Sequence, residues 1–193
     1  VQASAVFAVL PRAVTERLQQ TFHFYFWNHS PHEVRWMTSW ATSESDVDAA
    51  VRESAERMGG LNVAVSCAGV ATPGKLLGKD GVLPAAAFQR VININVLGTF
   101  LIDRAAAAIM QSNEPDADGE RGLLIHTASV AAFEGQIGQV AYATSKAAVA
   151  GMVLPLAREL ARFGIRVGGI APGIFQTPMM AGLPQEAQDS LAA

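Results

Sequence analysis

An α/β fold built on a doubly wound parallel sheet is what the sequence predicts, and three observations predict it. Short apolar runs at 61–67, 123–128 and Ile165–Ile170 lack polar alternation, as strands buried on both faces do. Helix-length stretches separate them, which calls for crossover connections and therefore parallel strands. Each run gives way to small or turn-forming residues, Ala68-Gly69, Ala128-Ser129 and Pro172-Gly173. In open parallel sheets that is the end where ligands bind.

Composition narrows the function classes. The 193 residues are one domain's length, 50% of them hydrophobic and 16% charged, against roughly 25% charged on average. Such a chain can build a substantial core. No uninterrupted apolar run reaches the roughly 18 residues of a membrane helix, so no membrane partner is expected. A net charge of -3 supplies no basic field for nucleic acid. Cys67 alone forms no internal disulfide, and His23, His29 and His32 match no metal-ligand spacing, so no metal and a reducing, cytoplasmic setting are expected. Residues 1–20 lack the pattern of a secretory leader.

The elements follow in order. All 17 glycines lie at or beyond Gly59, although average usage of roughly 7% would put about four in the first 58 positions. The first 40 residues, which hold all three tryptophans, are therefore compositionally foreign and are expected to be the least regular part. Strands are read at 4–10, 21–27 and 33–37, with a short helix at 12–20 opened by Pro11. Ser43 can cap a helix whose apolar stripe is Val47, Ala50, Val51 and Met58, stopped by Gly59 and Gly60. After strand 61–67 a Gly- and Pro-punctuated loop is expected over 70–84, then one long helix over 84–111.

Within that helix Phe88, Val91, Ile92, Val96 and Phe100 mark an apolar stripe on which Asn95 falls. A buried amide needs partners, and here it is either a satisfied core residue or a holder of water near a site. A polar loop, 113–122, leads to strand 123–128; the helix over 142–163 is closed by Gly164.

Chemistry concentrates at the strand ends and on this last helix. Ser129 taken alone is most often a cap or turn residue. Tyr142 and Lys146, four apart, share a helix face with Cβ atoms about 5 to 6 Å apart. An ammonium so placed favours phenolate and tunes a general acid or base. The bland alternative is a surface ring stacked on a lysine stem. Ser129 precedes Tyr142 by 13 residues, with the glycine-bearing segment 133–138 to turn the chain back.

Ala68-Gly69 after a strand, Asn95 within Asn95-Val-Leu-Gly98, Ser129, Tyr142-x-x-x-Lys146 and Pro172-Gly173 together resemble the short-chain dehydrogenase/reductase family. Asn113-Glu-Pro-Asp116, the run from His126 to Gly138 and the run from Ala171 to Pro178 are similar to its 3-hydroxyacyl-CoA dehydrogenase branch, and the likeness covers 41–193. The resemblance implies a single Rossmann-like domain over 1–193, with 1–40 atypical. It also implies NAD-dependent interconversion of a secondary alcohol and a ketone, such as 3-hydroxyacyl-CoA and 3-oxoacyl-CoA, in a homo-oligomer. Tyr142 would exchange the substrate proton, Ser129 would hydrogen-bond the substrate oxygen, Lys146 would hold the nicotinamide ribose and Asn95 would position a relay water. Gln136 would lie beside the substrate. Cys67 and Gly69 would line the adenosine-ribose region, and Phe175 and Thr177 the nicotinamide end.

Departures from the family pattern are confined to the cofactor half and the carboxyl end. The family's T-G-x-x-x-G-x-G turn lets backbone N–H groups approach a pyrophosphate, whereas Leu10-Pro11-Arg12 follows the first strand here. Trp27-Asn28 stands where an acidic residue would take the ribose hydroxyls, Trp40 replaces an adenine-contacting Asp, and Ser66 replaces an Asn. The last residue, Ala193, falls short of the family's final strand and helix, so an incomplete sheet is expected at both ends. Three readings stand open: an enzyme with an unusual cofactor half, a truncated relative that binds nucleotide poorly, and an inactive oligomerisation or binding module.

Overall fold

The computed structural model describes residues 43–79 and 81–174, and before them Glu16 and the backbone of residues 4–9, 25–26 and 33–38. Strands β4 (Val63–Ser66), β7 (Gly122–Thr127) and β8 (Ile165–Ile170) form one parallel sheet in the order β4-β7-β8. These are the three runs that the sequence marks as buried strands.

Helix α1 (Glu44–Met58) precedes β4 and ends where the sequence predicts. Ser43 and Asp46 close a reciprocal capping box at its start, and Gly59 takes φ 77° at its end, a left-handed conformation that glycine adopts without a Cβ penalty. The long helical stretch before β7 is divided into α2 (Ala85–Ile92), a π-turn over Asn93–Leu97 and α3 (Gly98–Met110). Helix α4 (Val140–Leu160) runs on through a 3₁₀ turn, Ala161–Phe163, to Gly164 at φ 70°.

One face of the parallel sheet carries the core. Ala106 and Met110 of α3 close over Leu124 and Ile165, with Ala64, Leu160, Phe163 and Val167 packed around them. Helix α1 adds Val47 and Val51 against Ala105. The strand register puts Val63, Val65, Leu123, Ile125 and Ile170 on the opposite face, where Val63 and Ile170 are each about half exposed. Among the described residues, the helices that touch the sheet lie on its core face.

Four expectations are corrected. The early strands, β1 (Ser4–Val9), β2 (Tyr25–Phe26) and β3 (Glu33–Thr38), do not extend the parallel sheet but form an antiparallel sheet of their own, in the order β1-β3-β2. Only six residues join β2 to β3, which suits an antiparallel return, whereas a parallel neighbour needs a crossover of a dozen or more. The 70–84 loop contains a two-residue hairpin, β5 (Leu77–Gly78) with β6 (Gly81–Val82), whose turn uses Gly81 at φ 114°. The inner stripe of the third stretch is Val91, Asn95, Thr99, Asp103, Ala106 and Met110, while Phe100 is 44% exposed. The π-turn winds its residues wider than 3.6 per turn, so the inward positions step by four through it. Lastly, the stretches Ala85–Met110 and Val140–Phe163 are long and apolar enough to cross a membrane by length and composition, which a search for uninterrupted runs misses. Both bear polar residues on the inner side of this core, Asn95, Asp103, Ser145 and Lys146 among them.

Candidate active site

The site is assembled at the carboxyl ends of β4 and β7. Lys146 enters from the first turns of α4, 5% exposed, and its Nζ donates to the Thr127 carbonyl at 2.6 Å. The ammonium lies 5.8 Å from the centre of the Tyr142 ring, one turn earlier on the same helix. Burial lowers the Lys146 pKa to about 8, against a smaller opposing effect from the Cys67 thiol. Desolvation disfavours the charged form of the amine, and a thiolate beside it restores part of that loss.

Gly69 packs beside the lysine: a Cβ built there would lie 3.4 Å from Lys146 Nζ and 3.6 Å from Asn95 Oδ1, in van der Waals contact with both. Asn95 is 1% exposed and satisfied by protein: its Oδ1 accepts from the Val70 N–H at 2.8 Å, and its Nδ2 donates to the Val70 carbonyl at 3.0 Å and to Ser145 Oγ at 2.8 Å. Ser145 in turn donates to the Tyr142 carbonyl at 2.7 Å. The strand-end backbone, the π-turn and the first turn of α4 are thereby locked together. The π-turn matters here, because it releases the helical ladder at the residue whose side chain makes the lock.

Ser129 is partly buried at the start of the 3₁₀ turn Val130–Ala132, and its Oγ accepts from the Ala131 N–H at 3.1 Å. It caps a turn, as the bland reading holds, and keeps its own O–H to donate. That turn packs against α4. Thr127 Oγ1 donates to Cys67 Sγ at 3.5 Å, joining the ends of β7 and β4. Gln136 is exposed and accepts from Gln139 Nε2 at 2.8 Å.

Cys67, Gly69, Asn95, Thr127, Tyr142 and Lys146 are thus linked by these contacts, while Ser129 sits two residues beyond Thr127. Phe175 and Thr177 lie outside the described residues, as do Pro11, Trp27, Asn28 and Trp40. The sequence reading missed Ser145 and the Thr127 carbonyl. The first was legible in its position directly before Lys146; the second is a backbone atom and carries no residue signature.

A buried lysine at the strand ends with a tyrosine one turn before it fits the nicotinamide-ribose end of a dinucleotide, since amine and hydroxyl can serve ribose oxygens. Comparison with known proteins agrees. The pattern of the family described as short chain dehydrogenase matches residues 27–188. Proteins named 3-hydroxyacyl-CoA dehydrogenase type-2 from Drosophila melanogaster and Homo sapiens are 52% and 49% identical over 153 and 154 residues, 78% and 79% of this chain. The aligned part is 60% and 59% of those proteins, so the chain spans about three fifths of their length. The crystal structure of 3-hydroxyacyl-CoA dehydrogenase type-2 from Mycobacterium avium superposes with a TM-score of 0.68 at 39% identity, covering 78% of this chain and 58% of that one. On its strand order, its lysine and tyrosine helix and these matches, the chain belongs to the short-chain dehydrogenase family, with the Rossmann-like α/β fold of that family.

Proposed function

We propose that the site serves oxidoreduction between a 3-hydroxyacyl-CoA and the corresponding 3-oxoacyl-CoA with NAD, and that this chain binds the cofactor weakly. The observation that carries the reading is the buried Lys146 ammonium, tied to the Thr127 carbonyl and set beside Tyr142 by the Asn95–Ser145 lock. NAD, when bound, supplies the hydride acceptor or donor. The chain supplies orientation and a proton. In oxidation Tyr142 as the phenolate takes the proton of the substrate alcohol and becomes the phenol; in reduction the phenol gives its proton to the carbonyl oxygen and becomes the phenolate. Ser129 donates to that same oxygen, and Lys146 holds the ribose. Asn95 acts as a structural lock through its side chain, and its backbone carbonyl, which accepts from Thr99 Oγ1 at 2.8 Å, has a second lone pair with which to hold a relay water.

Weak cofactor binding follows from two features. Leu10-Pro11-Arg12 lacks the glycines that bring backbone donors to a pyrophosphate. Among the described residues β4 has one sheet neighbour, β7, and none of them adds a strand to its other edge, where a switch-point site would be completed. An unimpaired site with a Kd of about 10 μM would add about 2.7 kcal/mol of stability at 1 mM NAD; for this chain no resolvable rise in melting temperature is expected, and a rise of that size would overturn the impairment. In an acetoacetyl-CoA and NADH assay, turnover of about 10 per second with a micromolar cofactor KM would overturn the impairment. Equal activity of wild type and Tyr142→Phe would overturn the mechanism.

A second reading, a homo-oligomerisation module without catalysis, is favoured by Leu97 and Phe100 at 47% and 44% exposure and by Leu154 on α4 at 56%. Sedimentation gives a dimer or larger on that reading. An exposed, unpaired Cys67 suits a reducing, cytoplasmic setting.

A further inference from the structure

Below the crevice, three buried polar side chains from three elements meet within the core. Ser66 ends β4, His126 stands opposite it in the strand register, and Asp103 projects from α3 onto the imidazole. They are 5%, 0% and 3% exposed. His126 Nε2 and Asp103 Oδ2 approach to 2.8 Å, yet the ring N–H is not aligned for a hydrogen bond. Both ring nitrogens, that carboxylate oxygen and Ser66 Oγ have no hydrogen-bond partner among the described residues.

Stability alone does not account for such a cluster, because apolar side chains of similar volume do as well or better in a core. Nor do the neighbouring strands hold the ring: the register sets it between Ser66 and Gly169, and both are small. What orients it is Asp103. The placement is consequential, since the residue after His126 is Thr127, whose carbonyl receives Lys146, and Asp103 lies two helical turns after Asn95 on the inner stripe of the same helical stretch.

We propose that Asp103 and His126 are positioning residues: their contact pins α3 to the carboxyl end of β7 and so holds the Thr127 carbonyl where it receives the Lys146 ammonium. Neither touches the reacting atoms. The consequence for turnover rests on the proposed function, whereas the consequence for Lys146 does not. The charged or titratable groups facing Lys146 are Cys67 at the end of β4 and Tyr142 on α4.

The chain has three lysines, Lys75, Lys79 and Lys146, so protein labelled at the lysine Cε carbons gives three resolvable titrations by NMR, assigned with Lys146→Met. The wild-type Lys146 midpoint is expected near 8. Two variants are compared with it: Asp103→Asn, and the double variant Asp103→Leu with His126→Leu, which removes the buried polar groups and keeps the core filled. In each, slack at the strand end admits water and the Lys146 midpoint rises by about one unit, with Lys75 and Lys79 unmoved. Sign separates the causes: loss of a nearby carboxylate charge by itself lowers an ammonium pKa, so a rise reports displacement. A midpoint unchanged or lowered in the folded double variant overturns the proposal. In the acetoacetyl-CoA assay kcat falls about tenfold and the NADH KM rises with it, because Lys146 also holds the ribose, while the acetoacetyl-CoA KM is unchanged. A wild type without turnover even at millimolar NADH overturns the proposed function and leaves the lysine titration to decide the positioning role.

Discussion

Lys146 shows how one residue ties burial, pH and function together. Its folded pKa of about 8 lies below its ordinary value of 10.5, so between those limits the unfolded chain binds more protons than the folded one. Stability to unfolding therefore rises with pH across that window and carries its full penalty below about pH 8. A shift of this size corresponds to about 3 kcal/mol. Urea titrations at pH 7.5 and 10.5 check it: the rise is expected in wild type and is lost in Lys146→Met. Asn95→Ala is expected to cost about 3 kcal/mol, since it leaves the Val70 N–H and carbonyl and the Ser145 hydroxyl without their buried partner. Urea midpoints decide this too, and a cost under about 1 kcal/mol would mean the lock is slack.

At the scale of elements, turn chemistry and close approach make sharper predictions than helix propensity. Ser43→Ala removes one half of the α1 capping box and is expected to cost about 1 kcal/mol. Gly164→Ala should cost more. Its φ of 70° is left-handed, and a Cβ there would meet the Gly119 carbonyl oxygen at 2.5 Å, which no side-chain movement relieves. Thermal denaturation of the two variants checks the order, and equal losses would show that the Gly119 loop gives way. The π-turn was not legible: nothing in Asn93-Ile-Asn-Val-Leu97 separates it from an ordinary helical turn by periodicity. It coincides with the hydrogen bonds of Asn95 to Val70 and Ser145, 25 and 50 residues away.

For the whole molecule, the asymmetry of the parallel sheet is the main structural fact. Its core face buries Leu124 completely, and its other face leaves Val63 and Ile170 about half exposed. Leu124→Ala is expected to cost about 2 to 5 kcal/mol. Val63→Thr is expected to change stability by less than about 0.5 kcal/mol, as a surface substitution does. Were denaturation to show a loss above about 1.5 kcal/mol for Val63→Thr, that face would be covered in solution.

Local chemistry determined where α1 begins and ends, where the last helix stops, and which residue types could carry proton transfer. Ser43 acts through its hydroxyl, Gly59 and Gly164 through their own backbone, and the spacing of Tyr142 and Lys146 is a property of any helix. Parallel order was legible because helix-length connections permit nothing else. Tertiary structure decided the remainder: the antiparallel pairing of β1 to β3, the partners that occupy Asn95, the carbonyl that receives Lys146 and the meeting of Asp103 with His126. Each of these depends on contacts between segments far apart in the chain, whose geometry is set by packing and not by any local preference.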